Sequence, residues 1–226
     1  FLNYFKSIGI QVGDCIAGLL PRTPELLITI LATWRIGAIY QPLFTAFESK
    51  AIEHRVLTAN TKLIVTNAEQ RPKLNHVEVK HILTVNAGTN LTSNEADFWQ
   101  EAKQQSDQCE AVLRSFDDDF LMMFTSGTTG LAKSVPVPLK AVLAFKGYMQ
   151  HAVDLREDDS FWNLADPGWA YGLYYGITGP LSLGHSIIMD ERAFSVDHAV
   201  EVIKKYRVSN LTGSPTAFRM FFGFKE

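Results

Sequence analysis

Cysteine is nearly absent. Cys15 and Cys109 are the only two in the chain, far apart in sequence. That argues against a disulfide framework and fits a reducing compartment. The six histidines form no H-x-x-x-H pair and no Cys/His cluster, so no zinc site is read. An excess of positive charge is also missing: 21 basic residues face 24 acidic ones, a net charge of −3. This removes the electrostatic case for nucleic acid or an anionic membrane as a partner. Uninterrupted hydrophobic runs are short. The longest apolar region, 26–44, is broken by Arg35, Gly37 and Pro42, and reads as a buried helix followed by a loop rather than a membrane span. The chain opens on Phe1 inside a helical pattern, with no signal-peptide pattern and no internal repeat. Together these absences lead us to expect a cytoplasmic protein. The triplets Asn90-Leu-Thr92 and Asn210-Leu-Thr212 match glycosylation sequons, which carry no meaning without secretion.

What is present is a core. Hydrophobic residues make up 46% of the 226 positions and the mean hydropathy is +0.01, values of a packed globular protein. Helical and strand patterns alternate. Phe1, Leu2, Phe5 and Ile8 have helical spacing, stopped by Gly9, and 15–20 reads as a strand. Thr23 and Pro24 then start a buried helix that Gly37 ends, with Thr23 as its cap. Strands are predicted at 39–43, 63–66, 81–85, 161–164, 185–189 and 208–212, and helices at 50–59, 139–151, 173–183, 196–203 and 216–222. Ser195 is placed to cap the helix beginning at Val196. The region 87–114 is polar and reads as a surface excursion with at most one helix. The alternation predicts an α/β protein with layered, mainly parallel sheets and helices on both faces. Two α/β blocks are expected, 1–116 and 117–226, meeting in the polar region before Asp117.

The stretch DFLMMFTSGTTGLAKSVPV, 119–137, organises the chain. A short apolar run, 120–124, has the length of a buried strand. It breaks into Thr125, Ser126, Gly127, Thr128, Thr129 and Gly130, and Lys133 follows. Glycines let a backbone close on an anion and turn its N–H groups inward, hydroxyls add donors, and a lysine supplies a mobile positive charge. The spacing differs from G-x-x-x-x-G-K-[ST], because Leu131 and Ala132 separate Gly130 from Lys133. The plain alternative is a Gly/Thr turn on the surface. The buried strand before, the hydroxyl density and the lysine after weigh against it.

FTSGTTGLAKSV resembles the signature loop of the adenylate-forming superfamily, which includes acyl-CoA synthetases, luciferases and peptide-synthetase adenylation domains. The family pattern is T-S-G-[ST]-T-G-x-P-K-G-V after an aromatic residue. Ala132 stands where proline is usual and Ser134 where glycine is usual. The histidine often found shortly after the loop is absent, with Pro138 near that position. The resemblance implies that Thr125, Ser126, Gly127, Thr128, Thr129, Gly130 and Lys133 hold the β- and γ-phosphates of ATP.

A second informative stretch is Asp166-Pro-Gly-Trp-Ala-Tyr-Gly172. A strand ends in a turn that presents Trp169 and Tyr171, with Gly172 beside them. Such aromatics either wall an apolar pocket or belong to the core. The run to Leu181 is similar to the acyl-site segment of short-chain acyl-CoA synthetases, which implies that Tyr171 and Gly172 face the acyl group and that Trp169 stands where many relatives have histidine. The segment from Gly213 to Arg219 resembles the family's strand–turn–helix near the acyl and acceptor channel and places Ser214 there. Its alternative is an ordinary junction in which Thr216 caps or opens the helix. The loop at Thr125, the segment at Asp166 and the loop at Gly213 all follow predicted strands. They are expected to line one crevice, since ligands of open α/β sheets bind beyond the carboxyl ends of strands.

The resemblance covers nearly the whole chain but only part of the family's large N-terminal domain. The adenine-side and ribose-binding motifs and the C-terminal lysine of the family have no counterpart within 1–226, so no catalytic residue is assigned and no metal ligand is named. The resemblance implies an AMP-forming acid–thiol ligase using ATP, Mg2+ and CoA on a small carboxylic acid, with the present chain inactive by itself. Two alternatives stay open: a domain that loads a carrier protein, and a nucleotide-binding protein without turnover.

Overall fold

The computed structural model describes all residues except 90, 126–129 and 224–226. It divides into two compact units, Phe1–Leu139 and Lys140–Glu226.

The first unit is built on a sheet whose strands, in spatial order, are 95–97, 81–85, 63–67, 15–19, 39–42, 119–125 and 133–138. Helix α1 (Leu2–Ser7) ends at a left-handed Gly9, and β1 (Cys15–Leu19) follows, buried along its whole length. Helix α2 (Pro24–Arg35) then leads to β2 (Ile39–Pro42), and α3 (Ser49–Thr58) leads back across β1 to β3 (Leu63–Asn67). The two crossovers travel in opposite directions, so the right-handed rule puts α2 and α3 on opposite faces. That explains why β1 is buried on both sides. On one face Ala17, Leu19, Ile64 and Ile82 pack under Ile52 and Val56 of α3.

A 3₁₀ turn (Arg71–Leu74) and β4 (His81–Val85) continue the parallel order. Within the stretch read as a surface excursion the structure forms β5 (Glu95–Asp97), paired with β4, and α4 (Phe98–Lys103). Asp97 caps α4 by accepting from the Gln100 amide at 2.9 Å, and Phe98 is fully buried. The sheet closes with β6 (Asp119–Thr125), parallel to β2, and β7 (Lys133–Pro138), antiparallel to β6. Both belong to the first sheet, and the boundary between the units lies after Leu139 rather than before Asp117.

The second unit starts with α5 (Ala141–His151) and β8 (Phe161–Asn163). The helix predicted over 173–183 is split into α6 (Ala170–Leu173), a π-helical turn (Tyr174–Thr178) and α7 (Gly179–Ser182). The Thr178 hydroxyl donates to the Leu173 carbonyl five residues back at 2.9 Å, and Pro180 has no N–H to continue an α ladder. Helix α8 (Val196–Tyr206) is capped by Ser195, β9 (Asn210–Thr212) lies parallel to β8, and α9 (Pro215–Gly223) follows. The strand expected at 185–189 reduces to one bridge, Trp162 to Ile188, because this segment is only half-buried and its single ladder bond to β8 is Ile188 N–H to Phe161. Thr23 does hold the N-cap position of α2, yet its hydroxyl makes no capping bond.

Candidate functional site

Strand β6 is apolar because its middle is inside: Phe120, Leu121 and Met123 are buried, while Thr125 emerges. The Trp34 indole donates to the Phe120 carbonyl at 3.1 Å and fixes the strand under α2. Thr125 stands opposite Lys133 in the β6–β7 register, so β6 and β7 pair as an antiparallel hairpin whose first strand belongs to a parallel sheet. Gly130 has φ +95, which an L side chain rarely adopts, and open space around it. Lys133 is exposed, and among the described residues no carboxylate pairs with it. Thr125 and Lys133 therefore face each other at the end of the hairpin, and Gly130 precedes Lys133 by three residues. Ser126, Gly127, Thr128 and Thr129 lie outside the described residues. A hairpin end with an unpaired ammonium and a left-handed glycine is suited to an anion.

The two cysteines are both free and sit in different surroundings. Cys15 is buried among Gln41 and Thr61, and burial pushes its thiol up to about 12. Cys109 lies 3.3 Å from the Lys6 ammonium at the surface of the first unit.

In the second unit the ends of β8 and β9 meet in register, Asn163 opposite Thr212. The turn after β8 is built by its own side chains. Asn163 Oδ1 accepts from the Ala165 amide and Asp166 Oδ1 from the Gly168 amide, each at 2.7 Å. Asn163 is only 7% exposed, and its Nδ2 has no hydrogen-bond partner among the described residues. Trp169 opens α6 and is 47% exposed. Tyr171 is half-buried and joins a cluster of rings: it meets Tyr175 edge-on at 5.2 Å, Tyr175 stacks on Tyr148 at 4.0 Å, and Phe145 stacks on Tyr174 at 4.3 Å. Burial pushes the Tyr171 phenol up to about 12, Tyr148 adds to the shift, and Thr212 works against it. It stays a neutral hydroxyl at physiological pH.

Gly172 has a reason the sequence did not show. A Cβ at this position would lie 2.2 Å from the Asp166 carbonyl oxygen and 2.4 Å from its carbon. The missing side chain lets α6 cross the turn at backbone distance. Ser214 is exposed and its Oγ accepts from the Ala217 amide at 3.2 Å, so it caps α9, and Thr216 falls in the first turn instead. Asp166 and Gly213 share one end of the second sheet, which supports that part of the expected crevice. The rings of Tyr148 and Tyr175 and the amide of Asn163 escaped sequence reading. Asn163 alone left a signal, as a polar residue at the end of an apolar strand.

No helix among the described residues is long and apolar enough to cross a membrane.

Comparison with known proteins adds three findings. The family profile described as AMP-binding enzyme matches residues 2–226. The acetyl-coenzyme A synthetase of Bacillus subtilis (strain 168) is 32% identical over 227 residues, which is 98% of this chain and 39% of that protein. The acetyl-coenzyme A synthetase of Escherichia coli O157:H7 is 28% identical over 243 residues, 97% of this chain and 37% of that one. A crystal structure of an acyl-CoA synthetase from Brucella canis superposes with a TM-score of 0.94 at 52% identity, covering 98% of this chain and 41% of that chain. An anthranilate CoA ligase, AuaEII, shares the fold with a TM-score of 0.91 at 20% identity. The chain thus spans about two fifths of the length of the proteins it matches.

Proposed function

The chain belongs to the AMP-binding enzyme family, and from that premise we propose that the protein, at the length of its relatives, is an ATP-dependent acid–thiol ligase. A carboxylate is a poor acyl donor because its leaving group would be oxide. In the proposed reaction a carboxylate oxygen attacks the α-phosphorus of ATP, the bond to the β-phosphate oxygen breaks, and pyrophosphate leaves. The resulting acyl-adenylate has AMP as its leaving group. The sulfur of CoA then attacks the acyl carbon, the thiol proton is lost, and AMP departs.

The chain's own part is positioning and charge. Thr125, Gly130 and Lys133, with Ser126, Gly127, Thr128 and Thr129, are assigned to the β- and γ-phosphates. Lys133 offsets charge on the departing pyrophosphate, which accelerates the step only as far as it is held where that charge develops. Magnesium, bound with the nucleotide, would supply charge neutralisation at the phosphates. The residues fit a polyphosphate: the hairpin offers an ammonium that no carboxylate among the described residues pairs with, and a glycine conformation open to backbone approach. Trp169, Tyr171, Gly172 and Ser214 are assigned to the acyl side, where Tyr171 brings a neutral hydroxyl on an apolar ring.

The observation that carries the reading is Thr125 facing Lys133 across the hairpin in a chain of this family. The acetyl-coenzyme A synthetases among the relatives favour CoA as acceptor and a short acid as substrate. The test is pyrophosphate release with MgATP and a panel of short acids, followed by thioester formation with CoA, using the protein at the length of its relatives and the 226-residue chain alone. Acid-dependent release and acyl-CoA are expected from the longer protein, and neither at a useful rate from the chain alone. Absence of both from the longer protein, with every acid, would overturn the proposal.

A further inference from the structure

Helix α3 touches the phosphate hairpin on both limbs through two consecutive residues. His54 Nε2 lies 2.8 Å from the carbonyl oxygen of Ala132, the residue before Lys133. A carbonyl can only accept, so Nε2 carries the hydrogen. Both the Nε2–H tautomer and the imidazolium can make this bond. The guanidinium carbon of Arg55 lies 4.2 Å from the centre of the Phe47 ring and 5.6 Å from that of Phe124, the residue before Thr125. Its Nη1 donates to the Ala51 carbonyl at 2.8 Å, and burial lowers its pKa. Among the described residues no carboxylate pairs with it. Arg55 is therefore held by rings and its own helix.

The helix is a firm support. Ile52 and Val56 are locked into the core under β1 and β3, and the Gln41 side chain donates to the Arg55 carbonyl at 3.0 Å. The limb it supports is not firm by itself. Strand β7 is exposed from Lys133 to Pro136 and is buried only at Val137. Ala132 leaves the backbone free to turn where a proline would fix φ. A hydrogen bond from a rigid helix to that carbonyl supplies the missing restraint.

We propose that His54 is a positioning residue: through Ala132 it fixes the limb that carries Lys133, so the ammonium is presented at the mouth of the loop. The inference rests on the phosphate-binding reading of the hairpin, and the experiment separates the two. Backbone amide hydrogen exchange is followed across 130–137 without ligand, and MgATP affinity is measured on the same protein at the length of its relatives. The proteins are wild type, His54→Leu, His54→Gln and Lys133→Ala. His54→Leu should raise exchange in this limb and weaken MgATP about tenfold, the effect of one lost hydrogen bond, with exchange in β1 and β3 unchanged. Glutamine offers an N–H at similar reach, so His54→Gln should restore both readouts. Unchanged limb exchange in His54→Leu, faster exchange throughout the sheet, or no rescue by glutamine would overturn the role of His54. If Lys133→Ala leaves MgATP affinity untouched, or wild type binds none, the phosphate reading falls and the presentation of Lys133 falls with it. The exchange data then report whether the bond from α3 holds the limb at all.

Discussion

The two sheets position their loops in opposite ways. In the first unit β6 pairs with β2 in a seven-stranded sheet whose inner strands are covered on both faces, and the loop is closed by an antiparallel partner. In the second, β8 and β9 are three residues each, and the loop after β8 is shaped by Asn163, Asp166 and the backbone crossing at Gly172. A deep sheet fixes a loop through the strand embedded in it, here β6. A shallow one has to fix it by contacts within the loop. The first design suits a loop whose base must not move, and the second lets side-chain identity reshape a turn without disturbing a ladder.

The largest effects should come from striking each design at its support. Ile64 is fully buried at the centre of the first sheet, so Ile64→Ala should cost about 4 kcal/mol in denaturant unfolding. Ile188, half-buried on the single bridge of the second unit, should cost about 1 kcal/mol when cut to alanine. Equal costs would erase the contrast. The second strike uses glycines. Gly172→Ala forces a Cβ onto the Asp166 carbonyl and should cost about 3 kcal/mol. Gly147, inside α5 with nothing within 4 Å of its would-be Cβ, should instead gain about 0.5–1 kcal/mol as alanine. Thermal denaturation of both variants checks the opposite signs.

A smaller change concerns specificity. If the second loop is tuned by side chains, Tyr171→Ala should shift the ratio of kcat/KM toward bulkier acids by about tenfold, a change typical of apolar pocket volume. An unchanged ratio across the acid panel would make Tyr171 a core ring only. The smallest effect is a pH dependence confined to the first unit. Burial works to raise the Glu95 pKa, but hydrogen bonds from Thr84 at 2.6 Å and Arg71 at 3.0 Å outweigh it, so the folded value is lowered. Its contribution to stability is therefore full above the unfolded pKa of about 4.3 and is lost as the pH falls through the folded value. Wild type should exceed Glu95→Gln in stability at pH 7, and the gap should close in acid. A gap that widens in acid would contradict the direction of the shift.

The same contrast decides what could be read from the residues. Strands β1, β3 and β4 announce themselves by continuous apolar runs, because both of their faces are covered, and α2 by an apolar stretch between Pro24 and Gly37. The α/β class and the strand before the Gly/Thr loop follow from such local patterns. Strand β5 was illegible because Glu95, Ala96 and Asp97 are half-buried and carry no apolar signature. The break of 173–183 was legible in Pro180 but outweighed by the surrounding apolar residues. The bond from His54 to Ala132 spans 78 positions and leaves no trace in either neighbourhood. The reason for Gly172 likewise lies in a backbone crossing, which composition does not record.

Strand β7 ends the first sheet, and two of its six residues are Pro136 and Pro138. Neither can donate to a ladder, yet both stand in register with β6, so their nitrogens belong on the side away from it. That outer margin is thereby stripped of two amide donors at alternate positions, where an incoming strand would look for them. The border next to the hairpin is a poor template for strand addition. A solvent-facing strand can thus carry Lys133 at the hairpin end without inviting another chain to zip onto it.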